Sequence, residues 1–450
     1  MNYLPSPNKS EKELNIYIPD NTEVDTPKFP DIEYKTEVRK VLNTAENLEA
    51  LLKYSGLSIC FNQMSFEPEL FVIDNKSGNL KLVTSSFDSS RSKLISLSSK
   101  LGLPKIAIED HLNALAEKNK YHPVKSWLGD EKWDGKERVK SVLSCLNAKN
   151  KDISEIAIKR WLVGCIASIY EEEFRSKLVP VLQGGQSYMK TSFIARLASI
   201  LPHSFLEGAE LNPDNKDSIL TAIRSFIVEL GELERTSKNS QGSIKAFITK
   251  PTDSLRPPYA RGDIKKPRQT HFIASVNGID FLKDETGNSR YVVIEMEKAA
   301  SIDMLNTILG WHYSSNGSLK LLKPELLKQF WLEVKSLYKS DYGWNLSEQE
   351  LKVASSINDD FTDKGNLYEY IYGHYLSIDD DKYDKNMKWL TAGELIHYDI
   401  NLQANQAGNV GKALKKLAKE GKIKMKTERS NSTKYYLPIT PRINKDNNSS

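Results

Sequence analysis

Val179-Pro180-Val181-Leu182-Gln183-Gly184-Gly185-Gln186-Ser187-Tyr188-Met189-Lys190-Thr191-Ser192 decides the fold. Val179 to Leu182 is an apolar run of strand length, two glycines open a loop, and Phe193-Ile194-Ala195-Arg196-Leu197-Ala198 continues as a helix. Strand, glycine loop and helix in that order make a phosphate cradle, expected to hold ATP. The backbone of Gly184, Gly185, Gln186 and Ser187 and the helix start at Ser192 face the anion, Lys190 meets the outer phosphates, and the Thr191 hydroxyl holds Mg²⁺. In the pattern G-x-x-x-x-G-K-[ST] a glycine precedes the lysine. This chain has Met189 there, at a position whose backbone angle favours glycine.

A nucleotide-hydrolysing site also needs carboxylates at the end of a neighbouring strand. Ser225-Phe226-Ile227-Val228-Glu229-Leu230-Gly231-Glu232 supplies them, with Asp217 to Arg224 readable as the helix between. Glu229 is the main candidate for the metal site, and either Glu229 or Glu232 can serve as base. The next strand, Thr270 to Val276, ends in Asn277, whose amide can orient a lytic water or touch the γ-phosphate. Arg290 follows the polar loop Asp284 to Ser289 and enters the strand Tyr291 to Ile294, a position from which a guanidinium can reach a neighbouring subunit's nucleotide. Between the strands, Arg256 to Arg268 reads as a hairpin turning at Gly262-Asp263, with Arg261, Lys265 and Lys266 suited to a phosphate backbone.

The bulk numbers bound this reading. At 450 residues the chain divides into several domains, and 39% hydrophobic with 27% charged residues is ordinary for a soluble globular protein. No apolar stretch suits a bilayer or a signal peptide, so no membrane partner and a cytoplasmic location are expected. Cys60, Cys145 and Cys165 are scattered, and the seven histidines lack ligand spacing. A net charge of +4 is mild, so nucleic-acid contacts must come from local patches.

Outside the cradle, residues 1–36 read as a flexible tail and 37–140 as a small α+β domain. The latter holds helices from Glu37 to Leu52, Arg91 to Lys100 and Ile106 to Lys118, and a hairpin of Leu70 to Ile73 with Leu80 to Val83. Residues 141–345 form the ATPase region, led in by a helix from Ser154 to Tyr170. Residues 346–386 hold a helical stretch from Leu346 to Leu376 and an acidic linker at Asp379 to Asp384. In 387–438, Thr391 and Glu394 make a capping box, and Val410, Leu414 and Leu417 share one face of a second helix. Two strands follow around Ser430 to Ser432. Helix, helix and hairpin form a winged helix, with Asn409, Lys412, Lys415, Lys416 and Lys434 as DNA-contact candidates. Residues 439–450 are an Asn/Ser-rich disordered tail.

Taken in order, the phosphate loop, Ile227-Val228-Glu229-Leu230-Gly231-Glu232-Leu233, Arg256-Pro257-Pro258-Tyr259, the strand ending in Asn277 and Thr286-Gly287-Asn288-Ser289-Arg290 resemble the virulence-associated protein E family. Tyr121-His122-Pro123-Val124 and Trp133-Asp134-Gly135-Lys136 resemble that family's lead-in, so the likeness covers roughly residues 120–345. The resemblance implies a superfamily 3-type AAA+ ring, a hexamer, of a phage or mobile island. Lys190 and Thr191 would sit on nucleotide and Mg²⁺, Glu229 and Glu232 at the metal and water, Asn277 as sensor and Arg290 as a trans-acting finger. Lys265 or Lys266 would lie on a DNA-contacting pore hairpin. Met189 and Ser289 depart from the family pattern, where a glycine and a second arginine are usual.

The expected architecture is therefore α/β: an AAA+ (P-loop) ATPase core with a small N-terminal α+β domain and a C-terminal winged-helix domain. The expected function is an ATP-dependent DNA helicase and replication initiator acting on origin duplex and single strand. The chain carries no primase constellation, so a separate primase is an expected partner. Two rival readings are an ATPase that loads or remodels another replication protein and a DNA-binding regulator with a degenerate core.

Overall fold

The computed structural model describes residues 27–35, 38–73, 80–83, 87–231, 233, 238–255, 264–278, 281–283, 290–362, 365–376, 386–399, 401–427 and 432–439. Contacts divide the chain into a first unit, residues 1–279 and 286–360, and a second, residues 280–285 and 361–450.

The first unit begins earlier than the sequence implied. Strands β1 (Ile32–Lys35) and β2 (Val38–Val41) form an antiparallel hairpin, and Phe29 is buried, so the expected tail is structured from about Pro27. The expected helix from Glu37 is corrected: it starts at Ala45 as α1 (Ala45–Tyr54). Thr44 stops it from starting sooner, because its side chain accepts from the Asn47 amide as an N-cap while its hydroxyl donates to Asp31. The buried Asn47 amide donates to the carbonyls of Asp31 and Leu42, stapling the hairpin to the helix. Next come β3 (Leu57–Asn62), β4 (Glu67–Ile73), β5 (Leu80–Leu82), α2 (Phe87–Lys100), α3 (Ile106–Lys118) and β6 (Lys120–Tyr121). The sheet order is β5-β4-β3-β6, and Leu48, Leu51, Leu94, Ile108 and Leu112 fill the space between it and the helices. The turn of the expected 70–83 hairpin lies outside the described residues.

Helices α4 (Pro123–Leu128), α5 (Val139–Ser144) and α6 (Lys151–Ala167) lead into the main sheet. Val124, Leu128, Val139 and Val142 are buried in the same cluster as Phe193 and Ile294, so this lead-in packs with the sheet, and the expected boundary at 140 falls too late. The sheet strands are β7 (Val179–Gln183), β8 (Phe205–Ala209), β9 (Ile227–Leu230), β12 (His271–Val276) and β13 (Tyr291–Glu295). Between them run α7 (Lys190–Ala198), α8 (Lys216–Ile223), α9 (Lys238–Ile248) and the antiparallel pair β10 (Thr252–Leu255) and β11 (Ile264–Pro267). The order is β13-β7-β12-β9-β8, every pairing parallel. Both faces of a parallel sheet are covered, which is why β7, β9 and nearly all of β12 and β13 are buried.

Helix α10 (Ile302–Leu309), the short pair β14 (Trp311–Tyr313) and β15 (Leu319–Leu321), α11 (Pro324–Lys339) and α12 (Glu348–Asp359) complete the first unit. Trp161 donates its indole N–H to the Phe272 carbonyl and Trp331 to that of Leu197, tying α6 and α11 to opposite parts of the core. On α12, the Asn358 amide accepts from Val293 N–H and donates to the Tyr291 carbonyl. A single side chain thus reproduces a neighbouring strand's bonds along the β13 edge.

In the second unit, α13 (Asn366–Ile371) continues as a π-helical turn, Tyr372–Leu376. The expected helical stretch from Leu346 to Leu376 is therefore broken, with Gly365 in a glycine-favouring φ of 82° before α13. Then follow β16 (Asn386–Leu390), α14 (Ala392–Tyr398), α15 (Ala407–Lys419), β17 (Lys424–Thr427) and β18 (Thr433–Ile439), with sheet order β16-β18-β17. The Thr391–Glu394 capping box is formed, and Val410, Leu414 and Leu417 are fully buried against Tyr368, Ile371 and Leu437. Among the described residues no helix is long and apolar enough to cross a membrane.

Candidate nucleotide site at the ends of the parallel strands

The loop after β7 is shaped by one aromatic ring. A Cβ on Gly184 would lie 2.6 Å from Tyr188 Cδ2, and one on Gly185 would lie 3.1 Å from Tyr188 Cε1. A side chain at Gly184 would force Tyr188 to shift, and one at Gly185 would crowd it, while Tyr188 folds back over the loop and its backbone N–H donates to the Gly185 carbonyl. Tyr188 was not among the sequence candidates, because its role comes from its shape rather than from a recognisable motif.

Met189 adopts φ 59° and ψ 29°, the left-handed conformation that the glycine of the pattern would adopt without strain. Its side chain is 49% exposed, so it points away from the loop interior. Met189 is also the N-cap of α7 and provides no side-chain cap, which leaves the helix's first amides with no partner from that residue. Ser187, at φ 66°, is the second left-handed residue of the loop; Gly185, Gln186 and Ser187 are exposed at its rim, while Thr191 and Ser192 are half-buried.

Lys190 is buried and its ammonium donates to the carbonyls of Gly184 at 2.8 Å and Gly185 at 2.9 Å and to Asn277 Oδ1 at 2.9 Å. Asn277 reaches it because β12 runs beside β7 in parallel, with Val276 opposite Gln183. On the other side of β12, strand β9 carries Glu229, which is 1% exposed. Thr191 Oγ1 donates to Glu229 Oε1 at 2.7 Å, while Glu229 Oε2 is buried with no hydrogen-bond partner among the described residues. A buried carboxylate oxygen left without a donor is costly unless a cation or water arrives.

That orphan oxygen beside a hydroxyl fits Mg²⁺, which takes hard oxygen ligands and keeps several waters. Among the described residues no cluster of three or more His, Cys, Asp or Glu could hold a metal unaided, so an ion here would share phosphate and water ligands. Glu232 lies outside the described residues.

Arg290 lies elsewhere. It immediately precedes β13, whose Tyr291 pairs with Val179 at the start of β7, whereas the loop leaves β7 after Gln183. Five strand residues at about 3.3 Å each separate the two edges by roughly 16 Å, more than an arginine side chain spans. Arg290 cannot serve its own subunit's loop from there.

The hairpin candidates separate by strand alternation. Lys265 on β11 is exposed, but Lys266 is 3% exposed and donates to the carbonyls of Met64 and Ile223. Burial lowers its pKa to about 7. Lys266 is therefore corrected from a DNA contact to an internal tie between the N-terminal module and α8. Arg261 lies outside the described residues. In the second unit Asn409, Lys412 and Lys415 are exposed on α15, Lys416 lies over the Tyr368 ring at 5.6 Å, and Lys434 is half-buried on β18.

In fold the chain is similar to the apo structure of the NrS-1 C-terminal region, with a TM-score of 0.45 at 14% identity over 87% of this chain and 98% of that one. The A form of the same apo region gives 0.44 at 13% identity, over 87% and 99%. No functionally curated protein is close enough in sequence to match. The virulence-associated protein E-like domain matches residues 128–363, just over half of the 450, and the chain belongs to that family.

Proposed function

We propose that the chain is an ATP-hydrolysing DNA helicase and replication initiator of a phage or mobile genetic island, working in the cytoplasm of a bacterial host. The observation that carries this reading is the convergence of Lys190, Thr191, Glu229 and Asn277 at the carboxyl ends of β7, β9 and β12. Ligands of open parallel sheets bind at such strand ends, where the chain order reverses. Here the chain reaches β12 on one side of β7 and then crosses to β13 on the other. That strand order, with family membership, supports an AAA+ core.

In the proposed site a triphosphate enters over the Gly184–Met189 loop and takes the place of the loop carbonyls around the Lys190 ammonium. The first amides of α7 donate to its oxygens. Mg²⁺, when bound, neutralises charge on the outer phosphates. Thr191 and Glu229 are the residues that would hold it. Glu229, or Glu232, orients and deprotonates the attacking water, and Asn277 holds that water or the γ-phosphate. Arg290 acts on a neighbouring subunit's nucleotide, which requires a ring, as a hexamer. Met189 is turned outward, which argues against a degenerate core.

The second unit's order of helix, strand, two helices and hairpin supports a winged helix. Asn409, Lys412 and Lys415 on α15 would meet origin duplex, and Lys265 with Arg261 would track a single strand in the ring. A separate primase completes the proposed machinery. Strand displacement on a forked duplex with ATP and Mg²⁺ tests the reading: unwinding is expected. DNA-stimulated hydrolysis without displacement would instead identify a loader or remodeller.

A further inference from the structure

Strand register in the second unit sorts the side chains of the three-stranded sheet. Leu390, Tyr435 and Leu437 are buried in the core, so their neighbours on β16 and β18 face the other way. Trp389 pairs with Tyr436, which pairs in turn with Lys424, and Lys434 pairs with Lys426. Trp389, Tyr436, Lys424, Lys426 and Lys434 thus share the outer face, with Met387 at its edge. The Trp389 and Tyr436 rings lie 5.1 Å apart at 37°, and Lys426 Nζ is 4.5 Å above the Trp389 ring. All four residues of β17 are exposed.

We propose that this outer sheet face is a platform for single-stranded nucleic acid, distinct from the helix α15 surface and independent of the ATPase reading. Two aromatic rings on adjacent strands offer stacking surfaces for unpaired bases, and three lysines among them attract the phosphates between. Duplex DNA keeps its bases stacked internally and has no use for the rings. Lys424, Lys426 and Lys434 gather positive charge on this face, which complements a polyanion. The platform would hold the strand released when α15 sits on adjacent duplex.

Fluorescence anisotropy on the full chain, with labelled oligothymidylate and with a blunt duplex, tests the proposal. Trp389→Ala/Tyr436→Ala and Lys424→Glu/Lys426→Glu are each expected to weaken oligothymidylate binding about tenfold or more, leaving duplex binding within about twofold. Lys412→Ala/Lys415→Ala should do the reverse. The lysine pair is exposed, so that variant stays decisive even if loss of the rings unfolds the unit. Wild-type oligothymidylate affinity in Lys424→Glu/Lys426→Glu, or equal losses on both probes, would overturn the platform.

Discussion

Thr191 Oγ1 donates to Glu229 Oε1 at 2.7 Å, and the second oxygen of that buried carboxylate has no partner among the described residues. The pair links the first turn of α7 to the end of β9 and puts a hydroxyl and a carboxylate, both hard oxygen donors, side by side. Glu229→Gln keeps the Thr191 bond and removes the charge. It should lower ATP turnover by about a hundredfold or more while leaving nucleotide affinity within a few-fold. Phosphate-release assays beside nucleotide titration check this. The melting temperature should hold or rise, because a buried unpaired charge has been removed.

Met189 pays for its left-handed backbone with strain that glycine avoids. Met189→Gly should therefore stabilise the protein by up to about 1 kcal/mol, the left-handed cost being partly offset by glycine's freedom in the unfolded chain. Turnover should be retained. Denaturant melts measure the first quantity, and a clear loss of stability would contradict the assignment of that backbone.

Arg290 sits at the opposite end of the paired strands β13 and β7 from its own loop. Arg290→Ala should cut hydrolysis by roughly a thousandfold while sparing nucleotide binding. Mixing it with Lys190→Ala protein should restore part of the turnover, because one subunit then supplies the loop and its neighbour the arginine. No recovery on mixing would count against action between subunits.

Acid should unfold the first unit through two buried histidines. Burial lowers the pKa of both His122 and His271 from 6.5 to about 3, and His271 Nε2 lies 2.8 Å from Ser168 Oγ. The folded values lie below the unfolded ones, so the unfolded chain takes up protons first. Their contribution to stability is complete above about pH 6.5 and is lost as pH falls toward 3, by up to about 1.4 kcal/mol per pH unit for each. Melting temperatures at pH 7.5, 6.5 and 5.5 should decline, and the decline should be shallower in His122→Gln/His271→Gln.

What could be read from the sequence was local. The apolar run before Gly184, the strand ending in Asn277 and the Val410, Leu414 and Leu417 stripe each carry their period within a few residues, and tertiary packing agrees with them. Val38, Val41 and Leu42 fit a helical spacing equally well, and only Asp31, Thr44 and Asn47, which close the hairpin, decide for strand. Lys265 and Lys266 are indistinguishable as letters. Pairing of Lys266 with the buried Asp253 across β10 turns one inward and leaves the other in solvent. The strand β16 ahead of the capping box was missed, since five residues of mixed polarity gain meaning only beside β18.

In the proposed function the loop from Gln183 to Phe193 wraps a triphosphate, with Lys190 at its outer phosphates. Mg²⁺-dependent phosphate release and ATP-analogue binding, measured on the wild type and on Lys190→Ala, test it most directly. Turnover and saturable binding are expected in the wild type, with turnover lost about a hundredfold or more in the variant. Equal turnover in the two proteins, or no analogue binding by the wild type, would contradict it.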